Sequence, residues 1–233
     1  FLGGAAMPPM LFKRSSFAKT MYWEQLDPIM REAYAEKGVY FLNSVFAGGA
    51  IYHWSKKPIK GLDGMKGHKF RAFANIEKAW AKLGASPVFL PHPEVYPALA
   101  QGVIDGSLGG SALFQFNKYY ELCKYFYGDP QLEVDTLAFL VSMKAWNDLP
   151  SDLKEILTVA GRRYSEDYER LTDEWERQMK SNFEKWGVTV IYWPKDDLQK
   201  IRQAGVDMIP DLKKKSARLA KGLEIIEEFV KTH

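Results

Sequence analysis

From Pro150 to Gly187 the chain carries one unbroken helical rhythm, and this stretch limits the fold more than any other. Apolar residues stand at Leu153, Leu157, Ala160, Tyr164, Tyr168, Leu171, Trp175, Met179, Phe183 and Trp186, nine steps over 33 residues, or 3.67 per step, close to the α-helical period. No proline interrupts it, and Gly161 is its one internal glycine. Ser151 or Asp152 can cap its start. A helix over about 151–186 would reach about 50 Å, longer than a lobe of about 100 residues is wide. A chain of 233 residues has room for two such lobes, and the helix is expected to serve both.

Elsewhere strands and helices alternate. Residues 20–37 have an i, i+3, i+4 rhythm ending at Gly38 and are expected to be helical. The apolar runs at 38–48 and 50–55, the segments 68–73 and 86–91, and 188–193 read as strands. Asn75 is expected to cap a helix ending at Gly84, and further helices are expected at 94–101, 196–205 and 209–231. This alternation argues for α/β units on a mostly parallel sheet.

Several functional classes fall away. Lys plus Arg number 32 against 29 Asp plus Glu, scattered among one another, which is a poor footprint for nucleic acid. Cys123 stands alone, so neither an internal disulfide nor a C-x-x-C pair is possible. No apolar run reaches the ~18 residues that a membrane span needs. The chain opens "FLGGAAMPPM", without an initiator Met or a basic export signal. The four histidines lack metal-binding spacing, and neither a G-x-S-x-G elbow nor a Walker loop occurs. Hydrolytic, cofactor and metal chemistry are therefore not expected.

Arg71 closes an expected strand just ahead of the helix at Asn75. A guanidinium grips a carboxylate through two charge-assisted hydrogen bonds, and a helix N-terminus adds positive potential; the bland alternative is a surface ion pair. Tyr52, His53, Trp54 and Phe73 flank the region and suit either core packing or an apolar pocket. The stretch "GVIDGSLGGS" at 102–111 admits a tight turn or a loop where backbone approaches a ligand. Asp105 within it is expected to brace a turn, since it would repel an anion held by Arg71.

The ordered motifs "KKPIKGLDGMKGHKFRAF", "LGASPVFLPHPEVYPALAQGVIDG", "NKYYELCKYF" and "WNDLP", with "MPPMLFK" near the start, resemble the solute-binding proteins of tripartite ATP-independent periplasmic (TRAP) transporters. The resemblance implies a two-lobed α/β binding protein with crossing strands and one long helix shared by both lobes. It implies lobe I at 1–48 plus 136–174 and lobe II at 49–135 plus 175–233. It also implies a periplasmic receptor that closes on an organic acid and passes it to a membrane permease, with neither catalysis nor stable membrane insertion. Arg71 matches the family's carboxylate-clamping arginine. Phe73, Asn75, Ser107, Gly109, Gly110, Ser111, Tyr52, Trp54 and Met7 are expected to complete the site.

Two departures shape the expected ligand. Relatives often continue Q-E-N-P where this chain reads Ser107-Leu108-Gly109-Gly110-Ser111, and sialic-acid-type relatives carry a second arginine where Ile51 stands. Backbone N–H groups or the Ser111 hydroxyl would replace the missing amide, and the glycines would leave room for an aromatic or branched monocarboxylate. Relatives also carry roughly 70 to 80 residues ahead of the segment aligned with Phe1, without which lobe I would expose sheet edges and apolar faces. The competing readings are a sensor or scaffold built on the long helix, and an enzyme using His53 and Asp105.

Overall fold

The structure, a computed structural model, describes residues 20–129 and 134–232, with backbone alone at 46–50, 74–75 and 134–135. A single π turn, Tyr22–Leu26, leads into α1 (Asp27–Ala35), and Gly38, at φ +70°, turns the chain into β1 (Val39–Ser55). The order continues β2 (Lys69–Arg71), α2 (Ala74–Lys82), β3 (Ser86–Val88), α3 (His92–Gln101), β4 (Gly106–Gly110), α4 (Ser111–Phe116), β5 (Tyr125–Tyr127) and β6 (Val134–Ser142). It ends α5 (Met143–Asp148), α6 (Ser151–Ser181), α7 (Phe183–Trp186), β7 (Thr189–Ile191), α8 (Lys195–Val206), α9 (Ile209–Lys213) and α10 (Ala217–Thr232).

The two strands expected at 38–48 and 50–55 are one strand of 17 residues. Pairing with β6 skips from Phe46 opposite Thr136 to Ala50 opposite Val134, so the Ala47-Gly48-Gly49 stretch is a bulge that does not end the strand. The first half of β1 pairs antiparallel with β6, from Val39 opposite Ser142 to Ala50 opposite Val134. Its second half lies between β4 and β5, with Ile51 opposite Gly110 and His53 opposite Tyr127. The strand order is β3-β2-β4-β1-β5-β7 with β6 joined to β1. Pairs β2–β3, β2–β4 and β5–β7 are parallel and all three pairs made by β1 are antiparallel. The sheet is thus mixed, because β1 crosses the whole molecule against the direction of its neighbours.

Alternation along β1 sends neighbouring side chains into different cores. Ile51 packs with Phe70, Trp80, Leu108, Tyr127 and Trp193 on one face. Tyr52 and Trp54 pack with Leu99, Phe114, Phe126, Met179 and Phe183 on the other. A third core joins Tyr22, Leu26, Ile29 and Phe41 to Met208, Leu212, Leu223 and Ile226. The C-terminal helix α10 therefore packs on α1, and residues expected in separate lobes touch there.

Helix α6 is one continuous rod of 31 residues, about 46 Å at the usual rise. It stops at Asn182, whose Nδ2 donates to the Gln178 carbonyl at 2.8 Å, so α7 is a separate short turn. Pro150, not Ser151 or Asp152, is the cap residue, and no side chain caps the start. The apolar rhythm does not mark the buried face throughout: Leu153, Leu157, Tyr164 and Leu171 are exposed, while Gly161, Ser165 and Thr172 are buried. Small residues let the helix backbone lie close to β1. Asn43 Nδ2 donates to the Gly161 carbonyl at 3.3 Å, and a Cβ at Gly161 would collide with Asn43 Oδ1.

Candidate ligand-binding cleft

Strand β2 lies between β3 and β4, with Arg71 opposite Val88 on one side and Ser107 on the other. Position 71 is the last residue of β2, level with the end of β3, while β4 runs on to Gly110 beside it. The residue is only 5% exposed. Its Nε donates to the Leu90 carbonyl at 3.2 Å and its Nη1 to the Leu108 carbonyl at 3.0 Å. Nη2 stands 3.4 Å from His92 Nε2. The Phe73 ring lies under the guanidinium, 4.7 Å from Cζ to the ring centroid.

The guanidinium is buried without a carboxylate partner among the described residues. Burial pushes its pKa below the ordinary value, yet a guanidinium stays charged in proteins. It has five N–H donors, and neutral acceptors on Leu90, Leu108 and His92 take one each. One N–H on each Nη is left, the pair that a carboxylate can take end-on.

These atoms form one wall of a cleft of about 380 Å³. Ile51, Gly109, Gly110 and Leu113 line it from the β1, β4 and α4 side, and Leu137, Tyr168 and Thr172 from β6 and α6. Arg71 and His92 bring its basic groups, and no side-chain carboxylate is among the lining residues. A second cavity of about 190 Å³ lies between α1 and α10. Its Arg218 is paired with Glu36 at 2.6 Å, unlike Arg71.

The structure brings Arg71, Phe73, Gly109 and Gly110 together at the cleft. Tyr52 and Trp54 lie in the core on the opposite face of β1, where Tyr52 Oη donates to Glu176 Oε1 at 2.8 Å; alternation separates them from Ile51. The expected Gly/Ser loop is strand β4 followed by α4. Of its glycines only Gly102 has positive φ, at +75°, where it ends α3. Ser107 and Ser111 are buried and do not line the cleft; Ser107 Oγ donates to the Leu108 carbonyl at 3.3 Å. Gly109 is small for a reason other than ligand bulk. A Cβ there would lie 2.9 Å from Trp54 Cη2 and 3.2 Å from Leu113 Cδ1.

Asn75 is not the helix cap: α2 starts one residue earlier, after the extended Phe73, and Asn75 falls in its first turn. Met7 lies outside the described residues. Asp105, expected to brace a turn, instead ties to the start of β2: its backbone N donates to Lys69 O at 2.6 Å and its Oδ2 accepts from Lys69 N at 3.4 Å. His53 is buried against His68, with Nε2 atoms 3.3 Å apart, and neither His53 nor Asp105 lines the cleft.

Sequence reasoning missed His92, Leu113, Leu137, Tyr168 and Thr172 as lining residues. Tyr168 and Leu137 give no local signal, because only the packing of α6 and β6 beside β1 brings them to β4. His92 had one: it sits in "LPHPEVY" as the first residue of α3, just after β3, whose last residue pairs with Arg71.

Residues 5–215 match the family of bacterial extracellular solute-binding proteins, family 7. The sialic acid-binding periplasmic protein SiaP of Vibrio cholerae is 25% identical over 202 residues, 86% of this chain and 62% of that protein. A monocarboxylate 2-oxoacid-binding periplasmic protein of Nostoc is 30% identical over 141 residues, 56% of this chain and 36% of its own. The chain thus spans less than two thirds of the length of these curated relatives. The crystal structure of a TRAP periplasmic solute-binding protein from Pseudoalteromonas atlantica, with sodium and pyruvate bound, superposes with a TM-score of 0.85 at 25% identity. That match covers 98% of this chain and 70% of the other. With its α/β sheet crossed by one long strand and flanked by one long helix, the chain belongs to the family-7 solute-binding proteins of TRAP transporters.

Proposed function

We propose that the protein is an extracytoplasmic receptor that captures a small organic acid between two closing lobes and delivers it to a TRAP permease. One observation carries the reading: Arg71 is buried, charged and without an acid to pair with among the described residues. A buried cation in that state is costly until an anion arrives. Binding and closure are then one equilibrium, because the closed form gains differential affinity only with the anion in place.

The lining favours an aromatic or branched monocarboxylate. A single guanidinium matches one carboxylate, and Ile51, Phe73, Leu113 and Leu137 offer apolar surface to the rest of the molecule. The Ile51 position provides no second cation for a sugar acid. The relative named for monocarboxylate 2-oxoacids and the neighbour holding pyruvate support the coarser class, a small monocarboxylate. That neighbour also holds sodium. Among the described residues no cluster of three His, Cys, Asp or Glu is placed to hold a metal ion, and the cleft lining has no carboxylate to supply one.

A thermal-shift screen of carboxylates on the wild type and on Arg71→Ala tests the reading. At about 100 times Kd a ligand stabilises by about 2.7 kcal/mol, which for a chain of this size is a rise of roughly 5–10 °C. Aromatic and branched acids should give that shift in the wild type and lose it in the variant. No shift with any acid, or equal shifts in both proteins, would remove the receptor reading.

A further inference from the structure

The contact between Arg71 and His92 has a chemical consequence. Arginine has no acceptor atom, so the 3.4 Å approach of Nη2 to His92 Nε2 is a hydrogen bond only when that imidazole nitrogen is unprotonated. His92 is the first residue of α3, where the positive end of the helix also opposes a protonated ring. Both residues line the cleft. An unprotonated His92 is thus an acceptor for Arg71, whereas a protonated one would be a second cation at the same wall.

We propose that His92 is a proton-gated ligand contact: a carboxylate seated on Arg71 draws a proton onto the His92 ring, which then donates to the same anion. This rests on the reading of the cleft as a carboxylate site. His92 is exposed at the cleft mouth, and in the empty cleft desolvation on its inner side and then the Arg71 charge lower its pKa from the ordinary imidazole value. Arg71 from β2 is the charge that acts on it. Tyr119 lies near the guanidinium, Tyr168 lines the cleft from α6, and Glu94 is the next acid along α3. A bound carboxylate offsets the guanidinium, so the His92 pKa rises in the complex. By linkage, affinity is gained as pH falls through the complex pKa and levels off below the free pKa.

The probe is phenylpyruvate, an aromatic 2-oxo acid that stays ionised throughout. Its Kd is measured by calorimetry from about pH 7.5 to about pH 5, the range around an ordinary imidazole, in buffers of different ionisation heat. Wild type should bind about 3- to 10-fold tighter at the acid end, since one pKa unit is tenfold, and should take up protons on binding. His92→Gln keeps an acceptor for Arg71 but has no titrating ring; its affinity should not change between the alkaline and acid ends, and it should take up no protons on binding. His92→Phe should be flat and weaker. A ligand-free arm follows the His92 ring by NMR, and its pKa should rise in Arg71→Ala. A wild-type pH profile retained in His92→Gln, or an NMR titration unmoved by Arg71→Ala, overturns the proposal and leaves the receptor reading intact. Absence of binding for phenylpyruvate and every acid in the screen overturns both.

Discussion

Arg71 and Leu108 lie on neighbouring parallel strands, and the guanidinium Nη1 of the first donates to the carbonyl of the second at 3.0 Å. This bond, with the Nε bond to Leu90, fixes the plane of the guanidinium before any ligand arrives. A lysine has no planar fork and cannot serve both carbonyls while offering a two-pronged grip. Arg71→Lys is expected to lower affinity for phenylpyruvate about tenfold or more, measured by calorimetry. Arg71→Ala removes the charge altogether and should cost at least about 30-fold. Wild-type affinity in the lysine variant would mean that charge alone holds the ligand.

Gly109 is packed from below by Trp54, which is fully buried. Because the indole is walled in by Phe114, Tyr119 and Phe126, it cannot retreat from a new methyl group. Gly109→Ala should therefore destabilise by about 1–3 kcal/mol, the usual range for overpacking. The check is the urea midpoint; a midpoint equal to wild type would show spare room at Trp54.

Gly161 sets two effects against each other. Alanine is favoured over glycine inside a helix by about 1 kcal/mol, but here its Cβ would strike Asn43 Oδ1 and lie 3.0 Å from Leu42 Cδ2. Overpacking at a β1–α6 contact is expected to win by about 1–2 kcal/mol. Gly161→Ala should lower the urea midpoint, and combining it with Asn43→Ser should recover part of the loss. A stabilised single variant would place the helix farther from β1 than it stands here.

The same comparison shows what the sequence could reveal. Arg71 was legible because its family motif and its position at a strand end are local properties. The long helix was legible because its period is regular. Its buried face was not, since Gly161, Ser165 and Thr172 are buried by close approach to β1 and carry little apolar signal. Tyr52 and Trp54 looked like pocket aromatics for want of the strand phase; only pairing of β1 with β4 and β5 shows which face they take. The Gly/Ser stretch looked like a loop because extended glycines are indistinguishable in sequence from turning ones.

His53 and His68 predict acid sensitivity. Burial pushes the His53 pKa well below its ordinary value and the His68 pKa down to about 4. With folded values below the unfolded ~6.5, the unfolded chain takes up protons first as pH falls. Stability is then complete above about pH 6.5 and declines toward pH 4, by up to about 3 kcal/mol for His68 alone. Urea unfolding of the ligand-free protein across that range should show this slope, and His68→Phe should make it shallower, leaving the share of His53. Parallel profiles in the two proteins would assign the acid loss to other groups.

The most direct test compares one acid with its uncharged counterpart. Calorimetry of wild-type protein with phenylpyruvate and with its primary amide keeps the ring and the oxo group and removes the negative charge. The amide should bind at least about 30-fold more weakly, the cost expected when a buried charge is left without its partner. Equal affinity for the two would contradict the account, because Arg71 would then play no part as an anion receptor.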